Sequence, residues 1–577
     1  MLYFGTIVVR SKSNDAVPAL MLALVAPMLA LDNGVGLTPS MGWSSWNTFR
    51  CAISERLIRE VAQAIVTSGL RDAGYRYVNV DDCWMESRGA DGHIIPSAKR
   101  FPNGMKAIGD YIHSLGLKFG IYSDAGERTC ETLPGSFGHE EQDAADYASW
   151  GVDYLKYDYC NMTHAPRRAR YYYARMRNAL NATGRPIVFS ICSWGVDSPH
   201  TWGARVGHSW RTGKDLFAVW DAAAARRLRL PPLFATVMEA VETHATLADF
   251  AAPGGYNDPD MLLVGLPGMS PYGVINDTAA ECPPHVPTVW CERGAAVTRE
   301  QWGLVGGLTR TEQRAHFSLW CMLAAPLMIG NDPRHMSRAT VEILTATELI
   351  AINQDPLGRQ ARLVRRDGAL QVWRKELADG THAVLLFNAG DVPADITVEW
   401  SRDLADASRE FRRQLGREPP CKDIHEARYC AYEVKVAGGG GGGRCARDRE
   451  FALKCSRTCG VCAPERWARG QHAMAAVRDA WAREYVGVFP ARFTARLVEA
   501  HEARVFTLRF DGYTALRRLV ADERRERGIK RKGGAADVAV AHSGDNPLDL
   551  AVHPEYLHGN YHMVPGEYDG TPGSHAR

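Results

Sequence analysis

The chain has 577 residues, about four times a ~150-residue domain, so two or three compact units are expected. Lys and Arg total 68 against 66 Asp and Glu, and a net charge of +2 excludes a whole-protein field for capturing nucleic acid or an anionic membrane. With 46% apolar and 23% charged residues, the balance is that of a folded globular protein. In chain order, the first element is the apolar run 17–31, VPALMLALVAPMLAL, which follows Arg10 and Lys12 and precedes Asp32. It falls short of the ~18 apolar residues a membrane span needs. It reads as a secretory signal peptide over 1–31, with a buried helix as the alternative. Sequons at Asn161, Asn181 and Asn276 are compatible with export.

From residue 32 to about 350, short β-rich runs alternate with helix-patterned stretches. Strands are expected at 75–80, 117–122, 153–158 and 187–192, and helices at 103–115 and 140–150. Repeated β-α units of this size point to a (β/α)8 barrel. The runs YVNVDDCW, GIYSDAG, YLKYDYC and FSICSWG each end an apolar strand on polar residues. In such a barrel the carboxyl ends of the strands face the active site, so these residues would share one mouth. An insertion is expected over 268–308. After residue 351 short alternating strands replace the β-α pattern, at 370–373, 382–387, 396–400, 493–497 and 504–510. They form an antiparallel β domain over 351–410 and 470–511. Between its two parts lie Cys421, Cys430, Cys445, Cys455, Cys459 and Cys462, in a stretch poor in large apolar residues. A segment that cannot build a core needs staples, so 420–463 reads as a three-disulfide module, zinc binding being the alternative for C-x-x-C. Residues 512–577 read as a charged tail, partly disordered, holding a solvated helix or a basic patch.

Several acids could do chemistry. Asp158 ends a strand beside Lys156. The cation would hold it ionised and fit to be a nucleophile, or the two form a rim ion pair. Asp215 reads alone as a helix N-terminal residue. Asp81 and Asp82 are adjacent at a strand end, so one would face the mouth and the other the shell. They could bind a metal or accept from sugar hydroxyls, and the lack of an accompanying His disfavours metal. Asp258 and Asp260 add two more acids at a late strand end.

The motifs MGWSSW (41–46), NVDDCW (79–84), GIYSDAG (120–126), C-x3-PGSFG (130–138), YLKYDYC (154–160), SWRTGKD (209–215), GGYNDPDML (254–262), APLMIGND (325–332) and NQDPLG (353–358) occur in this order. Together they resemble glycoside hydrolase family 27, the retaining α-galactosidases and α-N-acetylgalactosaminidases. The resemblance covers about residues 37–400 and resumes at 477–497, in the family's C-terminal β-sandwich. The Cys-rich stretch resembles an inserted ShK-type module. Carried over by position, the nucleophile falls on Asp158 and the acid/base on Asp215. Sugar contacts fall on Trp46, Asp81, Asp82, Tyr122, Lys156, Arg211 and Asp260. The family pattern pairs Cys51 with Cys83 and Cys130 with Cys160. Cys192 lacks its partner, because His208 stands there, and is expected to be a free buried thiol. Cys282 and Cys291 would pair within the insertion, and Cys321 is expected in the core. Ser193 departs from the pattern. Many α-galactosidases place Glu there, and animal α-N-acetylgalactosaminidases place Ser, whereas the loop that follows resembles plant and microbial galactosidases.

The resemblance therefore implies a secreted retaining exo-α-galactosidase that takes a terminal α-galactoside. α-N-Acetylgalactosaminidase and a catalytically silent galactoside-binding protein are the alternatives. It implies no metal and no organic cofactor, no nucleic-acid partner and no membrane span. A homodimer is compatible with it, as is contact of the Cys-rich module with glycan or cell wall. The expected location is outside the cell or in a vacuolar or lysosomal lumen.

Overall fold

The computed structural model describes residues 33–162, 167–230, 234–266, 268, 306–404, 474–511 and 513–526. The expected signal peptide, Asn276, Cys282, Cys291, nearly all of the 268–308 insertion, the six cysteines of 420–463 and the end of the tail lie outside the described residues.

Eight parallel strands come first. They are β1 (Met41–Ser44), β2 (Tyr77–Val80), β3 (Lys118–Asp124), β4 (Tyr154–Asp158), β5 (Val188–Ile191), β6 (Ser209–Arg211), β7 (Tyr256–Asp258) and β8 (Leu327–Ile329). They hydrogen-bond in the order β8-β1-β2-β3-β4-β5-β6-β7. The Leu262 amide, four residues beyond β7, donates to Met328 O at 2.7 Å and bridges in parallel to Ile329, which closes the sheet into a barrel. The strands are nearly all buried because helices cover the outside. The first long helix, Glu55–Thr67, starts where Ser54 accepts from the Leu57 amide and buries Leu57, Ile58, Val61, Ala62 and Ile65 at helical spacing.

Two segments differ from expectation. Residues 212–215 are irregular and the next helix begins only at Ala222, so Asp215 sits in a loop, not at a helix N-terminus. Trp400, expected to end a strand, instead opens a one-turn helix Trp400–Asp403.

Among the described residues the second unit has eight strands: β9 (Arg362–Asp367), β10 (Leu370–Glu376), β11 (His382–Asn388), β12 (Ala394–Glu399), β13 (Met474–Asp479), β14 (Glu484–Pro490), β15 (Arg492–Val498) and β16 (Ala503–Phe510). Six form one sheet in the order β9-β10-β11-β16-β13-β14, and β12 pairs with β15 in a second. Strand β11 is buried along its whole length because both faces are covered. Val384 and Leu386 join Ile396, Val398 and Phe493 between the sheets, whereas Leu385 and Phe387 join the barrel core. The charged segment after residue 512 begins with a helix, Tyr513–Glu526, that buries Leu516 and Val520 against Ala476 and Val488 of the sandwich. No helix among the described residues is long and apolar enough to cross a membrane.

Candidate active site

The carboxyl ends of β1 to β8 gather an unusual density of buried charge. Asp158 closes β4 and is 5% exposed. The Tyr159 amide donates to its Oδ1 at 3.3 Å, and Sγ of Cys130 touches Oδ2 at 3.6 Å. Cys130 is bonded to Cys160, and Cys51 to Cys83, so two disulfides tie loops that rise from neighbouring strands. The Tyr122 hydroxyl rests on Cys130 Sγ at 3.5 Å.

Lys156 does not pair with Asp158. Its Nζ reaches across the mouth to Asp81, at 2.9 Å from Oδ2 and 3.2 Å from Oδ1. Asp81 also accepts from Ser44 Oγ at 3.1 Å and from the Asp82 amide at 2.9 Å. Asp82 turns to the backbone, accepting from the Cys83 amide at 2.7 Å and the Glu131 amide at 3.2 Å. Lys156 Nζ lies 5.1 Å from the Tyr122 ring centroid and 6.0 Å from that of Trp46, within cation–π range. Trp46 therefore forms a half-buried flat wall beside the cation.

On the opposite side Arg211, ending β6, holds two acids with one nitrogen. Its Nη2 is 3.0 Å from Asp215 Oδ1 and 3.0 Å from Asp260 Oδ2. Its Nη1 lies 3.7 Å from Cys192 Sγ, a buried free thiol, and its Nε has no hydrogen-bond partner among the described residues. Asp260 is held at φ 97° by accepting from the Leu216 and Met261 amides at 2.8 and 2.7 Å. A non-glycine residue in that region is strained and persists only where its surroundings fix it. Ser193 is fully buried and its Oγ donates to Val196 O at 3.3 Å. The loop that follows carries Trp194, Asp197 and Ser198 at positive φ.

The electrostatics set the two candidate catalytic acids apart. Burial pushes Asp158 up to about 7, Lys156 works against the rise, and Asp215 adds to it by like-charge repulsion. The Lys156 cation cannot hold Asp158 fully ionised because it is committed to Asp81, which corrects the expectation drawn from their closeness in sequence. Asp215 goes the other way. Enclosure raises its proton affinity, but Arg211, Lys156 and Arg50 more than reverse this and leave it below its ordinary range, although 48% of its side chain meets water. Burial also raises Asp82 to about 7 and Asp260 to about 6. The mouth therefore holds protons at neutral pH, which a surface cluster of acids would not do.

Two residues of the site went unassigned in the sequence. Asp124, the acid of GIYSDAG, is fully buried opposite Asp158 in the strand register. It accepts from the Gly126 amide at 2.7 Å and the Cys160 amide at 2.9 Å, so it clamps the loops after β3 and β4. Its place at a strand end was the available signal. Arg50 stacks 4.8 Å over Trp46 and is one of the cations acting on Asp215. His208 explains the free thiol: its Nδ1 takes the Phe189 amide at 2.9 Å and its Nε2 meets Asn33 Oδ1 at 2.9 Å, so it turns away to brace β5.

The chain is similar to known proteins over both the barrel and the sandwich. A family model described as alpha galactosidase A matches residues 38–280 and 300–355, and one described as the alpha galactosidase C-terminal beta sandwich domain matches 367–414. An α-galactosidase from Oryza sativa subsp. japonica is 43% identical over 374 residues, which is 64% of this chain and 76% of that one. A probable α-galactosidase from Dictyostelium discoideum is 42% identical over 399 residues, 68% of this chain and 89% of its own. Among solved structures, α-galactosidase I from Mortierella vinacea superposes with a TM-score of 0.61 at 30% identity, covering 83% of this chain and 98% of that one. With the barrel, the sandwich and both family models in agreement over these residues, the chain belongs to the α-galactosidase family, glycoside hydrolase family 27.

Proposed function

We propose that the protein is a retaining α-galactosidase in which Asp158 is the nucleophile and Asp215 the acid/base. What supports this reading is that one barrel mouth holds both carboxyls, Asp158 at the end of β4 and Asp215 on the Arg211 guanidinium at 3.0 Å, with burial raising the proton affinity of the first and Arg211 lowering that of the second. An α-galactoside offers no charge to grip, so it is recognised through its hydroxyls. Asp81 and Asp82 accept from the O4 and O6 side, Lys156 and Arg211 donate, Asp260 accepts, and Trp46 and Tyr122 supply apolar walls. Asp158 attacks the anomeric carbon while Asp215 protonates the departing oxygen, giving a covalent galactosyl-enzyme. Water deprotonated by Asp215 then releases galactose with retained configuration, which calls for carboxyls ~5–5.5 Å apart.

Proton placement follows from Arg211. In the free site it favours ionised Asp215 and leaves the shared proton on Asp158. Sugar hydroxyls that take up the Arg211 N–H groups weaken that hold and return the proton to Asp215, where the reaction needs it. The test is hydrolysis of p-nitrophenyl α-D-galactoside with the product anomer read by NMR. Asp158→Asn should lower kcat by roughly 10³–10⁴-fold or more. Undiminished turnover in that variant would remove the assigned nucleophile.

Ser193 favours a second reading, α-N-acetylgalactosaminidase, because a small side chain opens room beside C2 of the sugar. Its hydroxyl is already bonded to Val196 O, so it tolerates an N-acetyl group without recognising one. A kcat/KM higher for the N-acetylated p-nitrophenyl glycoside than for the galactoside would establish it. We further propose an exported enzyme, with residues 1–31 as leader and 420–463 as an ShK-type module. Export is supported by two disulfides at the barrel mouth, the usage of an oxidising compartment.

A further inference from the structure

A second depression lies outside the catalytic mouth. It is an open cleft of about 930 Å³ between the first half of helix Glu55–Thr67, the segment 99–103 and the turn at Arg334 and His335. These segments leave the carboxyl ends of β1, β2 and β8, neighbours in the barrel, so the cleft opens on one shoulder of the mouth. Five permanent cations line it, Arg56, Arg59, Lys99, Arg100 and Arg334, against only two carboxylates, Glu55 and Glu60. Those carboxylates are already used. Glu55 takes Arg59 at 2.9 Å, and Glu60 takes Arg334 at 2.6 Å. Arg56 reaches Glu60 only at 3.6 Å with its side chain 88% exposed. Lys99 is exposed with no ion-pair partner among the described residues, and Arg100 donates only to a carbonyl, Cys83 O, at 3.1 Å. Arg334 is paired a second time, by Asp332 at 2.8 Å, and Arg59 lies 4.4 Å over the Tyr111 ring, so the positive charge left over in the cleft rests on Lys99, Arg100 and the loosely paired Arg56.

We propose that this cleft is an accessory site for an anionic oligosaccharide, a chain bearing carboxylates or sulfates. The volume falls in the ~300–1,000 Å³ range of ligand clefts and is open at its ends, which suits a chain segment. Guanidinium groups match carboxylate and sulfate oxygens with paired N–H donors. The cleft is joined to the mouth by noncovalent contacts. Arg334 stacks 5.5 Å over Phe49, on the same helical turn as Trp46, and Arg100 is bonded to the residue after Asp82. A galactosylated acidic polysaccharide held there would keep its side chains close to Asp158 and Asp215.

Binding is read without turnover, so this inference and the hydrolytic reading fail separately. The full chain is titrated with tetragalacturonate, a sulfated galactan oligosaccharide and neutral mannotetraose, beside an Arg56→Glu/Lys99→Glu variant. Both positions are exposed and outside the catalytic mouth, so p-nitrophenyl galactoside turnover should be unchanged. Retention of either anionic chain over mannotetraose, weakened about tenfold in the variant and by added salt, is the expected result. Whichever anion binds more tightly identifies carboxylate or sulfate as the preferred group. Equal affinity of wild type and variant, or no preference of the wild type over mannotetraose, would overturn the proposal.

Discussion

Asp158 shows how much a side chain's neighbours change its chemistry. Its folded proton affinity, about 7, exceeds the ordinary 3.8 because it is buried near Asp215 and its sequence neighbour Lys156 serves Asp81. A group with a raised pKa favours folding fully below its unfolded value, and that advantage is lost as pH rises to the folded one. Asn at 158 cannot ionise and escapes the loss. Asp158→Asn should therefore be inactive yet more stable than wild type at pH 7.5, by of the order of 2–4 kcal/mol, and nearly equal to it at pH 4. Calorimetry at the two pH values measures this, and a variant destabilised at both would contradict it. The same pair governs rate. Above about pH 7 it loses its last proton, so kcat/KM should fall there for substrates that need an acid. With 2,4-dinitrophenyl α-galactoside, which needs none, that basic limb should be absent, and Asp215→Ala should cost far less kcat/KM than with p-nitrophenyl α-galactoside; an equal loss on both substrates would assign the acid elsewhere. The sequence made the acids at strand ends legible. The Lys156 partner was not legible, because Asp81 directly follows β2, one strand removed across β3.

At the scale of elements, what could be read depended on strand length. Strands β3 and β11, seven residues each, were evident as apolar runs. Strands β6, β7 and β8 have three residues each, too few to show a period of two, and only their motifs marked them. Strand β9 carries three arginines in six residues and escaped notice for the opposite reason. It lies at the sheet edge, where Arg362 bonds Asp249, Arg365 bonds Asp403 and Arg366 bonds Glu242. Strand β11 has no polar alternation because the two cores meet on it. Leu385→Ala should therefore open a cavity against the barrel and cost about 2–5 kcal/mol, with KM for p-nitrophenyl galactoside unchanged. A loss under 1 kcal/mol in urea unfolding would mean that this face is loosely packed.

For the whole molecule, the consequence is that barrel and sandwich are not independent bodies. Domains in one chain commonly meet through modest polar interfaces and unfold separately. Here Trp373, Leu385, Phe387 and Val505 of the sandwich belong to the same buried cluster as Phe317, Leu319 and Trp320 of the barrel. Polar contacts frame that seam. The Trp481 indole N–H donates to Ser318 Oγ at 3.0 Å, Arg478 pairs with Glu348 at 2.7 Å, and buried Lys375 donates to Ile352 O at 2.6 Å. Helix Arg310–Met322 shows the dependence most clearly, since nine of its residues are buried. A helix buried on so many sides would expose Phe317, Leu319 and Trp320 to water if the sandwich detached. The described units should therefore unfold together. Scanning calorimetry should show one endotherm for barrel and sandwich, and Trp373→Ala should shift it downward as a whole. Two endotherms, only one of them displaced by that substitution, would show that the shared core does not couple them.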